Sequence, residues 1–279
     1  MHRLSEIREP GPTLSKFFTY NENSIQAMSE PYLWFSTLDA FNDPFEGAMQ
    51  LADTIDPMEW VKVAKMIEEK YPDDPGYRLM AAAMRQGWNG GGFETREQFT
   101  NHLRRKFIER SKAYGYCCLV DDRDVARESS ILMWGHYGNG LKGFKVTFHS
   151  ELLIASLPVN VARAPIVYGQ SIPSLDILKH SRTSAESNND QEKALVALTA
   201  TSHIRTKHEA WSYEKEYRFI SPEPGAHAID AASIKEVVFG EKMPSSQRKV
   251  LSSVLSANAP GIAFRTARVS AGSYDLVIE

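Results

Sequence analysis

Carboxylates, basic side chains and aromatic residues are interleaved in the segment Lys207–Arg218, which reads KHEAWSYEKEYR. If a strand begins near Tyr213, successive side chains point to opposite faces, and Glu214, Glu216 and Arg218 share one face. The residues that follow are apolar, which is typical of a strand inside a sheet. A charged face there is costly unless its charges are paired or used. We therefore interpret Glu216 and Glu214 as candidate catalytic carboxylates and Arg218 as a candidate ligand-binding residue, with a solvated sheet edge as the alternative.

A second group of polar and aromatic residues lies on a predicted helix, Ser129–Tyr137. Ser130, Trp134 and Tyr137 are spaced i, i+4 and i+7, which places them on one helix face. Two aromatic rings and a hydroxyl on one face can stack on a flat ligand ring and bond its polar edge. The alternative is a helix that buries Trp134 in the core.

The third group is the segment Phe41–Glu46, which reads FNDPFE. Asn42, Asp43 and the proline that follows are typical turn residues, because Asn and Asp bond their own backbone and Pro fixes φ. Two phenylalanines flank this polar turn, an arrangement suited to the edge of a ligand pocket. Asn42 and Asp43 are therefore candidate ligand-binding residues, with a purely structural turn as an equal alternative.

The composition narrows the functional classes. A net charge of −3 gives no general attraction to polyanions. The two cysteines, Cys117 and Cys118, are adjacent, which is too close for a usual disulfide, and two are too few for a cysteine zinc site. The motifs GxxxxGK[ST], GxGxxG, HExxH and GxSxG do not occur in the sequence. We therefore assign no metal ligands.

The sequence also bears on the compartment. Its first residues, MHRLSEIREPGP, lack the hydrophobic segment of a signal peptide. No apolar run reaches the ~18 residues that span a bilayer. We expect a cytoplasmic protein with no membrane partner.

Hydrophobic patterning predicts an α+β protein, with a mixed or antiparallel split-sheet core, because strands occur in groups with irregular helical interruptions. We interpret residues 1–279 as a single domain and residues 53–112 as a helical insertion, or lobe, within it. A polar loop is predicted at Ser181–Asp190. The predicted strands are Leu14–Tyr20, Tyr32–Ser36, Tyr116–Val120, Gly143–Phe148, Val161–Tyr168, Tyr217–Ser221, Ile234–Phe239 and Ile262–Val269. The predicted helices are Asn21–Glu30, Met58–Lys70, Tyr77–Gln86, Thr95–Lys112, Ser129–Tyr137, Gln191–Lys207 and Ser245–Asn258.

Four motifs carry a family resemblance. They are a K-[FY]-x-x-Y-like strand, an FNDPFE turn, an MW-x-x-Y helix followed by K-G, and a terminal W-x-x-E-x-E-x-R. Here they occupy Lys16 to Tyr20, Phe41 to Glu46, Met133 to Gly143 and Trp211 to Arg218. With these motifs the chain resembles a bacterial family catalogued as a domain of unknown function (number 2971). The resemblance spans nearly the whole chain except the helical lobe and the predicted polar loop, and it implies no activity by itself.

The order of elements is also similar to that of ADP-ribosyltransferases of the His-Tyr-Glu type. This resemblance implies that NAD is bound as a substrate and that Glu216 stabilises the oxocarbenium-like ribose formed when nicotinamide leaves. It further implies that Ser130 and the rings of Tyr137 or Trp134 hold the nicotinamide.

The first strand departs from the pattern of those enzymes. They carry a histidine there, and the strand LSKFFTY has none, so Lys16 or Tyr20 would have to replace it. Lys16 or Arg218 would hold the pyrophosphate, with arginine better suited to bidentate contact.

These residues together predict an NAD-consuming enzyme, either an ADP-ribosyltransferase or an NAD glycohydrolase, of the kind used as toxins or phage-defence effectors. Its partners would be a small-molecule nucleotide and an acceptor protein or nucleic acid. One alternative is a metal-dependent nuclease that uses four acidic residues, Asp43, Glu46, Glu214 and Glu216, with Lys215 or Lys207 assisting. The other is a nucleotide-binding module without catalysis.

Overall fold

The computed structural model describes residues 8–51, 57–85, 111–124, 127–176 and 202–279, with single positions between 101 and 109. The helices are α1 (Glu22–Ser29), α2 (Pro57–Lys70), α3 (Pro75–Arg85), α4 (Arg127–His136), α5 (Ser150–Ser156) and α6 (Ser245–Asn258). The strands are β1 (Thr13–Phe18), β2 (Tyr32–Phe35), β3 (Gln50–Leu51), β4 (Gly115–Asp121), β5 (Phe144–His149), β6 (Ala162–Pro165), β7 (Val167–Gly169), β8 (Ser174–Leu175), β9 (Thr206–His208), β10 (Glu216–Ser221), β11 (Gly225–Ala228), β12 (Ile234–Gly240), β13 (Ala263–Val269) and β14 (Leu276–Ile278).

The main sheet has eight strands in the order β14-β13-β12-β5-β1-β4-β10-β6. Strands β12 and β13 run parallel, and the other neighbours run antiparallel. Small two-stranded sheets, β2 with β11, β3 with β8 and β7 with β9, accompany it. The predicted α+β class with a mixed sheet is confirmed.

Helices cover the two faces of the main sheet unequally. On one face, α1, α5 and α6 contribute Met28, Leu153 and Leu251 to the largest apolar cluster. On the other face, α4 contributes Trp134 to a smaller cluster with Val238 and others. Side chains alternate along a strand, so this second face is where β1, β4 and β10 present residues such as Ser15, Cys118 and Glu216. The candidate site therefore lies on the side of α4.

The sheet opens between β1 and β4. Their described register covers two residue pairs, Leu14 with Asp121 and Ser15 with Val120. Beyond them, the backbone carbonyl of Cys118 accepts a hydrogen bond from Lys16 Nζ at 3.0 Å, in place of continued strand pairing. On the far side of the opening, Ser36, which follows β2, pairs with Tyr116 of β4 through two backbone hydrogen bonds. A gap of this kind leaves room for a ligand between neighbouring strands.

Local sequence signals account for several elements of the fold. Asn21 caps α1 through a reciprocal capping box with Ser24. The six residues of β10 are all buried, as expected for a strand with neighbours on both edges. Helix α6 has the bounds that the hydrophobic period predicts, Ser245–Asn258.

Two predictions of local structure around the site are wrong. The predicted strand Tyr217–Ser221 is present as β10, but the strand does not begin near Tyr213, because Glu209–Glu214 is a 3-10 helix. Lys215 lies between them in the left-handed region, at φ 47°. The predicted helix Gln191–Lys207 does not reach its predicted end, because Thr206–His208 is a strand.

Other predictions fall partly or wholly on residues that the structure does not describe. The polar loop Ser181–Asp190 and residues 191–201 lie outside the described residues. The predicted helix Thr95–Lys112 is described at a few positions only, which include Ser111 and Lys112 in helical conformation. Helices α2 and α3 pack together and bury a small apolar cluster that includes Trp60 and Met84. Among the helices that can be described, none is long and apolar enough to cross a bilayer.

Candidate functional site

Five charged side chains meet beneath the opening in the sheet: Glu46, Lys207, Glu214, Glu216 and Arg218. Each of these side chains is at most 5% exposed. Three carboxylates and two cations leave the cluster close to neutral, which is the condition under which buried charges are tolerated. We refer to these five residues as the buried charge cluster.

Arg218 is the most enclosed member of the cluster. Its Nη1 donates to Glu46 Oε1 at 2.6 Å and to the carbonyl of Ile204 at 2.5 Å, and its Nε donates to Glu216 Oε1 at 2.7 Å. The guanidinium also lies 5.1 Å from the ring centroid of Phe41 and 5.9 Å from that of Tyr116. Arginine suits this position because its planar fork can bond two carboxylates while its faces stack on aromatic rings.

Lys207 joins the carboxylates from the opposite side. Its Nζ lies 2.8 Å from Glu214 Oε2, 2.7 Å from Glu216 Oε2 and 3.9 Å from Glu46 Oε2. Burial acts to lower the pKa of Lys207, but the carboxylates of Glu216 and Glu214 outweigh it and raise that pKa. The ammonium group is therefore charged at neutral pH.

The two candidate catalytic carboxylates have pKa values shifted in opposite directions. Burial acts to raise the pKa of Glu216, but Arg218 and Lys207 outweigh it and lower the pKa to about 2. Burial raises the pKa of Glu214, and Lys207 and Tyr137 offset this only in part. The two carboxyl groups therefore differ in their affinity for a proton, which is higher for Glu214 than for Glu216.

A cavity of about 350 Å³ lies directly above the cluster and is lined by Glu214, Glu216 and Lys207. This volume is within the range of small-molecule sites. Its walls come from β1, β2, β4 and α4, so it occupies the opening between β1 and β4. The remaining lining side chains include Lys16, Phe17, Trp34, Phe41, Asn42, Cys118, Met133 and Tyr137.

Tyr137 connects three residue groups that are distant in sequence: helix α4, which it directly follows, the charged segment Lys207–Arg218 and the turn Phe41–Glu46. Its hydroxyl donates to Glu214 Oε1, and Asn42 Nδ2 donates to the same hydroxyl at 3.4 Å. Burial raises the pKa of Tyr137, and the neighbouring carboxylate of Glu214 raises it further. The phenol is therefore neutral at physiological pH and acts as a hydrogen-bond donor to the carboxylate.

The structure brings some of the predicted site residues together and places others elsewhere. The structure brings six of them together around the cavity and the cluster: Lys16, Asn42, Tyr137, Glu214, Glu216 and Arg218. Three others lie elsewhere. Tyr20 packs against the main core, Asp43 is buried in the turn where it accepts from the Phe45 N–H, and Trp134 is buried in the core beneath α4. Ser130 lies in α4, but its side chain is outside the described part of the chain.

Three site residues were not recognised from the sequence. The Tyr168 hydroxyl accepts from the Glu216 N–H at 2.8 Å, Trp34 forms part of the cavity wall, and Tyr116 stacks on Arg218. Each comes from a strand distant in sequence, so no local spacing links it to the charged segment. Glu46 and Lys207 of the buried charge cluster were also absent from the assigned site residues, although the nuclease hypothesis named both.

The carboxylates of the cluster are bonded to the protein's own cations. Within the described ranges, no group of three or more His, Cys, Asp or Glu side chains is arranged to hold a metal ion. Asp43, one of the four acidic residues required by the nuclease hypothesis, points into its own turn.

The fold and site define a class of protein: an α+β domain with a buried charge cluster beneath a ligand-sized cavity in an opened sheet. Residues 133–219 match the model of a family described as "Protein of unknown function (DUF2971)". The matched stretch contains Tyr137, Glu214, Glu216 and Arg218, and it supports the family resemblance over that part of the chain. No curated protein and no solved structure was found to match this sequence.

The pKa of Glu216 gives a testable pH dependence of stability. Its value of about 2 in the folded state lies below the ordinary 4.5, so the folded state binds fewer protons. The stabilising contribution is present above the unfolded pKa and is lost as the pH falls toward the folded pKa. We expect the free energy of unfolding to fall on the order of 3 kcal/mol from this group over that interval.

Urea unfolding at about pH 6 and about pH 3 measures this effect. Glu216→Gln should flatten the acid slope. Glu214→Gln should steepen it, because a raised pKa makes the folded state bind a proton more readily and opposes the loss. Equal slopes for the wild type and Glu216→Gln would contradict the assignment of the lowered pKa to Glu216.

Proposed function

We propose that the chain is an NAD-consuming enzyme, an ADP-ribosyltransferase or NAD glycohydrolase. One observation carries the proposal: Glu214, Glu216 and Tyr137 line one cavity, at the position where β1 and β4 separate. Two carboxylates with oppositely shifted pKa values and an aromatic ring suit a substrate that develops positive charge next to a flat leaving group. A toxin or phage-defence effector is the biological role we propose for such an activity.

The reaction would break the bond between the ribose C1′ and the nicotinamide nitrogen. The bonding electron pair leaves with nicotinamide and neutralises its ring, and positive charge develops on the ribose. The fixed negative charge of Glu216 stabilises that charge without being protonated, because its pKa is about 2. An acceptor oxygen then bonds to C1′ and loses its proton, which Glu214 can accept because its pKa is raised.

The other cavity residues would bind and orient the substrate. Tyr137 holds Glu214 in place through its hydroxyl and presents a ring to the cavity for stacking. Lys16 lines the cavity and has no carboxylate within ion-pair distance among the described residues, so its charge is available to a phosphate. Arg218 is fully enclosed by protein groups, and we assign it to the cluster and not to the pyrophosphate.

A second candidate function is nucleotide binding without turnover. It is favoured by the pairing of both oxygens of Glu216, one with Arg218 and one with Lys207. The charge of a carboxylate held in this way is already compensated by the protein's own cations, which weakens its stabilisation of positive charge on a ribose. Substrate binding without nicotinamide release would identify this function.

The test is nicotinamide release from NAD by the full chain, measured by chromatography. We expect release by the wild type and a loss of about 100-fold in Glu216→Gln and in Glu214→Gln, each near-isosteric with the original residue. Lys215→Gln serves as the control, because its charged side chain lies between them in sequence and has no part in the cluster. Absence of release by a folded wild type, together with absence of NAD-induced thermal stabilisation, would reject the proposal.

A further inference from the structure

A second cavity, of about 530 Å³, adjoins the first on the side of α1. The two share four lining residues, Lys16, Phe17, Trp34 and Tyr137. A single ligand can therefore extend from one cavity into the other past Lys16. This second cavity played no part in the sequence-based site and is not used in the proposed bond cleavage.

The two cavities differ in chemistry. The first is lined by Glu214, Glu216 and Lys207, whereas the described lining of the second includes no carboxylate. Most of its polar side chains are neutral amides and hydroxyls on and before α1, and His136 of α4 also lines it. The amides and hydroxyls are Thr19, Asn21, Asn23, Ser24 and Gln26. A neutral, polar group fits most of the second cavity better than a charged one, because Lys16 and His136 are the only basic side chains in its described lining and no carboxylate faces them there.

Two of these amides are available to a ligand. Asn21 and Ser24 bond each other in the α1 capping box. In contrast, the side chains of Asn23 and Gln26 have no hydrogen-bond partner among the described residues, and their i, i+3 spacing puts them on one side of the helix. Carboxamides can both donate to and accept from the edge of an adenine ring.

An aromatic wall completes the second cavity. Trp34 is 56% exposed, which is unusual for a side chain of its size, and it lines both cavities. Tyr32 lines the second cavity as well, and its hydroxyl donates to the carbonyl of Asn23 at 3.4 Å. An exposed indole beside unpaired amides is suited to a flat heteroaromatic ring, which can stack on the indole while its edge bonds the amides.

We propose that the second cavity is a purine-binding pocket, which holds the adenine end of a dinucleotide while Lys16 contacts the phosphates at the junction. This inference deepens the proposed function and rests on it for the identity of the substrate. A dinucleotide has an adenine ring at one end, phosphates in the middle and a second ring at the other end. The protein offers the second cavity, then Lys16, then the cavity above the buried charge cluster, in the same order.

Calorimetric titration with AMP and with nicotinamide mononucleotide tests the pocket separately from any reaction. We expect the double variant Asn23→Ala/Gln26→Ala to weaken AMP binding about 10-fold and to leave nicotinamide mononucleotide binding within about twofold of the wild type. Gln50→Ala, an exposed amide that lines neither cavity, is the matched control and should change neither affinity.

The outcomes separate this inference from the proposed function. AMP binding that is absent in the wild type, or unchanged in the double variant, overturns the purine pocket even if nicotinamide is released. Weakened AMP binding in the variant supports the pocket even if nicotinamide release is never seen, and in that case only the proposed reaction fails.

Discussion

Replacement of Arg218 by methionine is expected to lower the free energy of unfolding by about 3–5 kcal/mol. The guanidinium is completely buried and bonds Glu46 and Glu216 at once. After its removal, Glu216 keeps Lys207 as its remaining cation. Glu46 is left with no cation closer than Lys207 Nζ, which lies 3.9 Å from its Oε2. Uncompensated buried charge is among the most destabilising outcomes of a single substitution.

Urea unfolding of Arg218→Met measures the loss. Arg163→Met is the matched control, because Arg163 also bonds a glutamate, Glu9, but both of those side chains are partly exposed. An ion pair of that kind contributes about 0–1 kcal/mol. A loss for Arg218→Met no larger than for Arg163→Met would show that the buried charge cluster is hydrated or rearranged in solution.

The Arg218→Met variant should also regain stability when acid is added. Protonation of a carboxylate in the cluster removes the uncompensated charge, so the gap between variant and wild type should narrow as the pH falls toward the ordinary glutamate pKa of 4.5. Unfolding at two pH values therefore distinguishes loss of charge compensation from simple loss of packing, which would not depend on pH.

Local patterns in the sequence predicted much of the fold, because they depend on neighbours along the chain. The apolar runs of β1, β4 and β10, the capping residues before α1 and the period of α6 each specify one element. The order of the strands could not be predicted, because β1, β4 and β10 are neighbours in the sheet although about a hundred residues separate each from the next. Pairing at such distances depends on the whole core and on no short motif.

The candidate site was likewise predictable from local sequence patterns only in part. Alternation along a strand predicted that Glu216 and Arg218 share a face, and they are in contact. It did not predict how Glu214 joins them. Glu214 ends a 3-10 helix, and Lys215 in the left-handed region reverses the chain so that both carboxylates reach Lys207. A left-handed lysine is rare enough that no sequence rule would have placed it there.

Trp134 of α4 and Tyr137, which directly follows α4, show why a predicted shared helix face is weaker evidence for a site than a buried charge. Trp134 and Tyr137 are close on the helical wheel, yet Trp134 packs edge-on against Phe17 at 5.2 Å, whereas Tyr137 reaches Glu214. The spacing predicted that they are neighbours. It could not predict where the boundary between core and cavity falls, which depends on the partners on β1 and β12.

Trp134→Ala is expected to lower the free energy of unfolding by about 3–5 kcal/mol, the usual cost of deleting a large buried aromatic side chain. Trp134 is 2% exposed and lies in an apolar cluster with Leu141, Val238 and Ala267. A side chain at Gly138 would come within 2.5 Å of its ring, so the turn after α4 is shaped around the indole. The matched control on the same helix is Leu132→Ala, where the side chain is 42% exposed and the change should be about 0.5 kcal/mol or less.

A milder substitution of Trp134 decides between the two interpretations that the sequence left open, a core residue or a wall that stacks on the ligand. If Trp134 is a core residue, Trp134→Phe should recover most of the lost stability and leave nucleotide affinity within about twofold of the wild type, because part of the ring volume is restored. Tyr137→Phe should do the opposite, with stability nearly retained and affinity reduced, since the ring is kept and only the hydrogen bonds of its hydroxyl with Glu214 and Asn42 are lost. A loss of nucleotide affinity in Trp134→Phe without loss of stability would contradict the buried position of the indole and restore its role as a stacking wall.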